Sequence, residues 1–273
     1  MLLSRIRNFL IYAGYHSKPD FIIVGAQKAG TTALFSILKE HSQLKSSFKK
    51  ELHFFDNEEK NSEKNYGLYH RDFPLPYKVA SNNLLYEATP SYLYHEKAAE
   101  RIYKFNPEMK IIISLRNPTY RALSAWNMYH HFGENNEKYS HLYDARSFKE
   151  AIESELQIID SVTRLNDKIS YVKRGIYYPQ VKKYLEVFPK ENILILEHDE
   201  LMKCHNQTIE KITVFLKIKN ERLKPLELLK SDQNNKNLYV EELTMLDDFY
   251  KPHNKLLYEL ICKDYQWKLD FNE

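Results

Sequence analysis

Four apolar residues, Phe21 to Val24, run straight into Gly25-Ala26-Gln27-Lys28-Ala29-Gly30-Thr31-Thr32, so that two of the six glycines in the chain fall in one loop. A strand, a glycine-bounded turn and a following helical pattern make the geometry in which backbone N–H groups and a helix N-terminus cradle an anion. Phosphate or sulfate is the ligand expected there. A nucleotide triphosphatase loop would carry lysine directly after the second glycine. Thr31 holds that place here, and the lysine has moved back to Lys28. The apolar run at 111–115 ends in Arg116, and NILILEHDE ends in Glu197 and His198, so neither supplies the aspartate that would hold magnesium. These features point to metal-free anion binding. Ser124 lies two turns into the helical pattern after Arg116, so an arginine fork and a hydroxyl can converge on one phosphate.

The elements that must position these groups alternate in the βα manner that predicts a mainly parallel sheet. Four short apolar runs read as core strands: Phe21–Val24, Leu84–Tyr86, Ile111–Leu115 and Ile193–Leu196. Helical patterns follow at 32–40, with Ala33, Leu34, Ile37 and Leu38 on one face, and at 118–129, with Asn117 as N-cap and Pro118 at the first helical position. Further helices are expected from Ser147, over 178–188 (packed by Val181, Tyr184, Leu185 and Phe188) and over 241–262 (packed by Leu243, Leu246, Phe249, Leu256, Leu257 and Leu260). The fold class is α/β, a single P-loop-like domain with a central mainly parallel sheet flanked by helices. It would span 21–273 after an N-terminal tail at 1–20, with 130–170 an insertion on the acceptor side.

A length of 273 residues suits one large domain, and 40 basic against 37 acidic residues, mixed along the chain, give +3 and no global field calling for nucleic acid. Cys204 and Cys262 are too few and too distant for a disulfide framework and read as buried thiols. His130 and His131 are adjacent and cannot face one ion together, and His198 and His205 lack partners at ligand spacing, so no metal is expected. The longest N-terminal apolar run, Phe9 to Ala13, is far short of a transmembrane segment. A cytoplasmic protein is the expectation, with the N-terminus an amphipathic helix or a weak membrane-surface anchor; no oligomeric state is implied.

The segments IIVGAQKAGTTAL, KELHFFD, YEATPSYLY, IIISLRNPTYRALSAW, RGIYYPQVKKYL and DFYKPHNKLLYEL occur in this order over nearly the whole chain. Together they resemble the sulfotransferases that use 3'-phosphoadenylyl sulfate (PAPS), and within them the heparan sulfate N-sulfotransferase and 3-O-sulfotransferase branch. The resemblance implies transfer of a sulfo group to a hydroxyl or amine of a carbohydrate (a poly- or oligosaccharide or a glycolipid), leaving 3',5'-adenosine bisphosphate (PAP). It implies that Lys28, Ala29, Gly30, Thr31 and Thr32 hold the 5'-phosphosulfate, with Lys28 a point charge for the leaving phosphate oxygen. Arg116 and Ser124 match the 3'-phosphate site, a group that ATP lacks.

Glu51 matches the glutamate that serves as acceptor base; His53, on the same side if the segment is extended, is the alternative base or a ring orienting the acceptor. A glutamate whose ordinary pKa is near 4.3 suits that task only if burial or close contact raises it. Ala88 stands where relatives generally carry lysine, so that cation is absent or comes from Lys49 or Lys50. Tyr177 matches a tyrosine beside the cofactor cleft or is core. Lys236, in SDQNNKNLY, corresponds loosely to a cofactor-clamping loop, without the flanking glycines and cysteine pair of the animal enzymes. Two other readings stand beside this one. A P-loop nucleotide kinase or NTPase would want lysine at position 31 and a metal, and a non-catalytic module for acidic glycans or nucleic acid would use Lys45, Lys49 and Lys50.

Overall fold

The computed structural model describes residues 2–132, 139–160, 170–225 and 236–271. They form two compact units, residues 1–115 with 183–227 and residues 116–182 with 228–273. The first unit holds the sheet. Its elements are α1 (Leu2–Tyr12), β1 (Phe21–Gly25), α2 (Thr31–Lys39), β2 (Leu44–Ser46), α3 (Tyr66–His70), β3 (Leu84–Ala88), α4 (Ala98–Phe105) and β4 (Lys110–Leu115). After the second unit the chain returns with β5 (Ile193–Glu197), α8 (His198–Lys203) and α9 (His205–Leu216). The second unit contains α5 (Pro118–His130), α6 (Phe148–Leu156) and α10 (Val240–Ile261), and α7 (Tyr177–Val187) runs across the chain boundary between the two.

The five strands are parallel in the order β2-β3-β1-β4-β5, with Phe21 opposite Tyr86 on one side and Lys110 on the other. Strands covered on both faces read as continuous apolar runs. FIIVG is accordingly buried at every position. Leu34, Phe35, Ile37 and Leu38 of α2 pack with Phe21, Ile23, Tyr86 and Ile112 and with Ile209, Ile212 and Leu216 of α9. The chain leaves β1 to build β2 and β3 on one flank and then β4 and β5 on the other. The carboxyl end of β1 is thus the switch point at which open α/β sheets bind ligands.

All four expected strands are present, each one or two residues longer than its apolar run. The three-residue edge strand β2 was not expected, because Leu-Lys-Ser contains no apolar run to signal it. In the second unit α5 starts as expected, with the Asn117 side chain accepting from the Thr119 N–H at 3.0 Å. Ser147 and Glu150 close a reciprocal capping box on α6, an arrangement worth about 1 kcal/mol to a helix start.

Two expectations are corrected. Cys204 and Cys262 are exposed rather than buried, since each lies at a helix terminus, where the chain turns at the surface. The stripe expected to pack α10 is narrower: Leu243, Leu246 and Leu257 are buried, Phe249 and Leu260 half-buried, and Leu256 exposed. Adjacent residues point about 100° apart, so Leu256 and Leu257 cannot share a face. Similarly, Val181, Tyr184 and Phe188 are buried around α7 while Leu185 is half-buried. Parts of the 130–170 stretch, residues 133–138 and 161–169, lie outside the described residues, as does the SDQNN portion of SDQNNKNLY.

Candidate active site

The loop at the end of β1 is held by hydrogen bonds to Ser114 of β4. Ala26 N–H donates to Ser114 O at 2.6 Å, and Ser114 Oγ donates to Ala29 O at 2.7 Å. Gly25 is required by close approach, because a Cβ there would lie 2.5 Å from Leu93 Cβ and 3.0 Å from Pro90 O. Gly30, the N-cap of α2, has φ 76°, and a Cβ on it would come within 2.8 Å of Cδ2 of His198. Lys28 is itself left-handed at φ 67°, a conformation costing on the order of 1 kcal/mol in a residue with a side chain.

The consequence is a helix start with neither a side-chain cap nor an acidic residue in its first turn. Its first N–H groups have no intrahelical acceptor and meet the positive end of the dipole. Thr31 is buried, Thr32 exposed and Lys28 half-buried. Ala29 differs from the other expected anion donors: its N–H already donates to Ala26 O at 3.1 Å. His198, considered in the sequence only as a metal ligand without partners, instead packs its ring against this loop, with Nδ1 3.0 Å from Asp199 Oδ1.

A second cluster lies on the segment after β2, held against the end of β3. Glu51 and His53 do meet, though not by the geometry expected. The segment is not extended, since both residues have positive φ (63° and 49°). Side chains and backbone of β3 and the turn after it impose that shape. Glu51 N–H donates to Ala88 O at 2.9 Å, Leu52 N–H to Thr89 Oγ1 at 3.0 Å and Phe54 N–H to the Tyr92 hydroxyl at 2.9 Å. Thr89 in turn donates to the fully buried Glu87 at 2.6 Å, and Tyr69 donates to the other Glu87 oxygen at 3.0 Å. Burial raises the Glu87 carboxyl to about 7 against these donated bonds.

Within the turn, His53 Nδ1 is 2.8 Å from Asp56 Oδ2, an oxygen that also accepts from Ser91 Oγ at 2.5 Å. His53 Nε2 lies 3.7 Å from Glu51 Oε2, and Lys50 Nζ donates to Glu51 Oε1. The hydrogen bond to Asp56, then that to Glu51, raises His53 to about 9 despite partial burial. Burial pushes Glu51 up, but His53 and Lys50 outweigh it and hold the carboxyl at about 2. Asp56 is likewise lowered, the His53 contact and charge overcoming its burial. The resting cluster is Lys50⁺–Glu51⁻–His53⁺–Asp56⁻. The condition set by the sequence reading, a carboxyl raised by burial or close contact, is not met in this cluster, because the neighbours of Glu51 are cations rather than apolar groups. Of the two lysines considered for the cation missing at Ala88, Lys50 reaches the carboxylate, whereas Lys49 is exposed and 3.8 Å from Asp72. Asp56, Ser91, Glu87 and His198 were not foreseen as site residues; the His-x-x-Asp spacing of HFFD was the available signal for Asp56.

In the second unit, Arg116 opens the stretch leading into α5 and Ser124 is buried on that helix. Tyr177 is a core residue, 1 % exposed, and its hydroxyl donates to Arg116 O at 3.0 Å. Burial pushes that phenol up to about 12, with the charges of Arg121 and Arg116 opposing. Lys236 lies over the Tyr120 ring, 4.6 Å from its centroid. Among the described residues no group of three His, Cys, Asp or Glu side chains could hold a metal ion.

A parallel sheet with an uncapped, glycine-bounded helix start at its switch point, and an acid–imidazole cluster on the segment hydrogen-bonded to the end of the neighbouring strand, is the arrangement of an α/β protein with titratable groups at the ligand end of its sheet. Residues 18–273 match the model of the sulfotransferase domain, and the chain belongs to that family. It is 30% identical over 201 residues to heparan sulfate glucosamine 3-O-sulfotransferase 5 of Mus musculus, covering 73% of this chain and 54% of that protein. It is 31% identical over 205 residues to the bifunctional heparan sulfate N-deacetylase/N-sulfotransferase 2 of Homo sapiens, covering 73% of this chain and 22% of that one. The chain therefore spans about half the length, or less, of these curated relatives. The crystal structure of a sulfotransferase from Alicyclobacillus acidocaldarius superposes with a TM-score of 0.69 at 28% identity, covering 91% of this chain and 97% of that one.

Proposed function

We propose that this chain transfers a sulfo group from PAPS to a hydroxyl or amine of a carbohydrate. The observation that carries the reading is the pairing of an uncapped α2 start, free of acidic residues, with an ionised Glu51 whose N–H is bonded to the end of the adjacent strand β3. The family, and relatives whose names specify heparan sulfate, support the choice of donor and acceptor class. The donor supplies an activated sulfo group on a phosphate leaving group. The N–H groups of Gly30, Thr31 and Thr32 with the Thr32 hydroxyl would hold its 5' end, and Lys28 would neutralise the charge developing on the leaving oxygen. Arg116 and Ser124 would take the 3'-phosphate, with Tyr177 fixing the Arg116 carbonyl. Residues 21–273 would act as one transferase domain, with 130–170 on the acceptor side.

Glu51 is ionised and so able to accept the acceptor's proton, but at about 2 it is a weak base. Lys50 is the group that can change this. When its ammonium leaves the carboxylate for an incoming sulfo oxygen, the basicity of Glu51 rises as negative charge gathers on the transferring group. His53, kept cationic by Asp56, orients the acceptor rather than serving as base. Calorimetry tests the donor: PAP should bind more tightly than magnesium ATP, and the opposite order would overturn the donor assignment. Labelled sulfo transfer onto oligosaccharides with free and acetylated amines tests the acceptor, and Glu51→Gln should lose turnover while keeping PAP affinity.

A further inference from the structure

A helix at a protein surface ordinarily turns its apolar stripe inward and its charges out. Between residues 5 and 12 the α1 helix also turns apolar side chains outward. Its inner side is fixed to the first unit: Ile11 is buried, and Arg7 Nη2 donates to Arg71 O and Phe73 O at 2.7 Å each. Its outer side carries Ile6, Phe9 and Tyr12 at successive i+3 positions, with Ala13 just past its end, all exposed and Phe9 at 72 %. The one charged residue on that side is Arg5.

Further apolar side chains are exposed near the helix. Tyr15 is exposed beyond its end and Leu68 is exposed on α3. Phe48, 59 % exposed, lies under the Arg7 guanidinium at 5.0 Å from its ring centroid. The charges among these residues are of one sign. Arg5 and Arg7 belong to α1, which contains no acidic residue, Arg71 lies over the Tyr12 ring, and Lys18 is exposed just beyond. The nearby acids are engaged: Asp72 by Lys49 at 3.8 Å and Glu63 by Lys104 at 3.0 Å.

We propose that the outer face of α1 docks on an anionic lipid surface, with Ile6 and Phe9 entering the acyl boundary, Tyr12 and Tyr15 at headgroup level, and Arg5 and Lys18 meeting the lipid charge. Apolar anchors rimmed by amphipathic tyrosines and by cations of one sign fit a negatively charged bilayer. A second copy of the chain fits poorly, because a two-fold contact through this face would bring arginine-bearing helices together with no acid between them. Phe48 comes just ahead of Glu51 in the chain, so the docked surface would extend toward the catalytic segment.

Sedimentation with vesicles tests the proposal. The full chain should pellet with phosphatidylcholine vesicles containing phosphatidylserine at about a third of the lipid, and much less with phosphatidylcholine alone. Binding should weaken in roughly 0.5 M salt as the charge is screened. An Ile6→Ser/Phe9→Ser double variant should lose at least about tenfold in vesicle partitioning, since it removes the two inserted side chains. Arg5→Glu should lose binding to the anionic vesicles specifically. An unchanged far-UV spectrum and thermal midpoint would show that both variants fold. The proposal is overturned if the parent chain fails to pellet with anionic vesicles, or if the folded double variant pellets as well as the parent. A concentration-dependent dimer in light scattering that Phe9→Ser dissociates would also overturn it, by assigning the face to self-association.

Discussion

Removing the Asp56 charge should move the imidazole of His53 more than any other single change in the cluster. Asp56 Oδ2 is 2.8 Å from Nδ1, whereas Glu51 Oε2 is 3.7 Å from Nε2, and Asp56 ranks first among the causes that raise His53 to about 9. At pH 7.5 a ring titrating near 9 is about 97% protonated, and one returned to 6.5 is about 9% protonated. Asp56→Asn leaves Glu51 in place, so the His53 pKa should fall by at least about one unit without reaching the ordinary value. Glu51→Gln should lower it by less.

Proton–carbon correlation spectra of the imidazole, titrated from pH 5 to 10 in the parent and both variants, read these values directly. A histidine raised in the folded state contributes fully below its unfolded value of about 6.5, and the contribution is lost as pH rises through about 9. Asp56, lowered when folded, contributes above its ordinary range and loses that as pH falls. The thermal midpoints of parent and Asp56→Asn should therefore differ most near pH 5–6.5 and converge above 9. A His53 titration unmoved by Asp56→Asn, or moved more by Glu51→Gln, would refute the reasoning.

Lys50→Ala should let Glu51 titrate closer to its ordinary value, shifting the acid limb of the kcat/KM profile to higher pH, which a pH–rate series would reveal. Gly30→Ala combines a left-handed φ with a Cβ 2.8 Å from the His198 ring; it should cost about 1–2 kcal/mol in denaturant unfolding and weaken PAP binding in calorimetry. Adding His198→Ala should relieve the contact but not the backbone strain, so recovery in the double variant should be partial. Glu87, raised to about 7 by burial, favours its protonated form when folded, and its stabilising proton uptake is lost as pH rises from about 4.5 through 7. Glu87→Gln should flatten that dependence in thermal melts, while Glu87→Ala, leaving the Thr89 and Tyr69 hydroxyls without their acceptor, should cost about 1–3 kcal/mol.

The sheet was legible because buried parallel strands announce themselves as apolar runs, and β1, β3, β4 and β5 each have one. β2 is an edge strand carrying Lys45, and nothing in three residues distinguishes it from a loop. The anion loop was legible for a related reason: glycines at positions 25 and 30 are placed by steric needs that no other residue meets. The acid–base cluster was only half visible. Spacing could bring Glu51 and His53 to one side, but their charge states depend on Lys50 and Asp56, which a turn at positive φ brings round, and that turn is dictated by residues far along the chain. Local pattern does not carry such information. The same holds for His198, whose contact with Gly30 arises only when β5 has joined the far side of the sheet.

The segment bearing Glu51 and His53 borrows its shape, through the N–H groups of Leu52 and Phe54, from hydroxyls on Thr89 and Tyr92, more than thirty residues away in sequence. For an evolving lineage this ties two distant stretches into one heritable unit. A change in YEATPSY can silence KELHFFD without touching it, and a transplanted KELHFFD will not work in a host lacking those two hydroxyls. Acceptor preference can then drift through replacements around the turn, while the turn and its two supports are exchanged together or not at all.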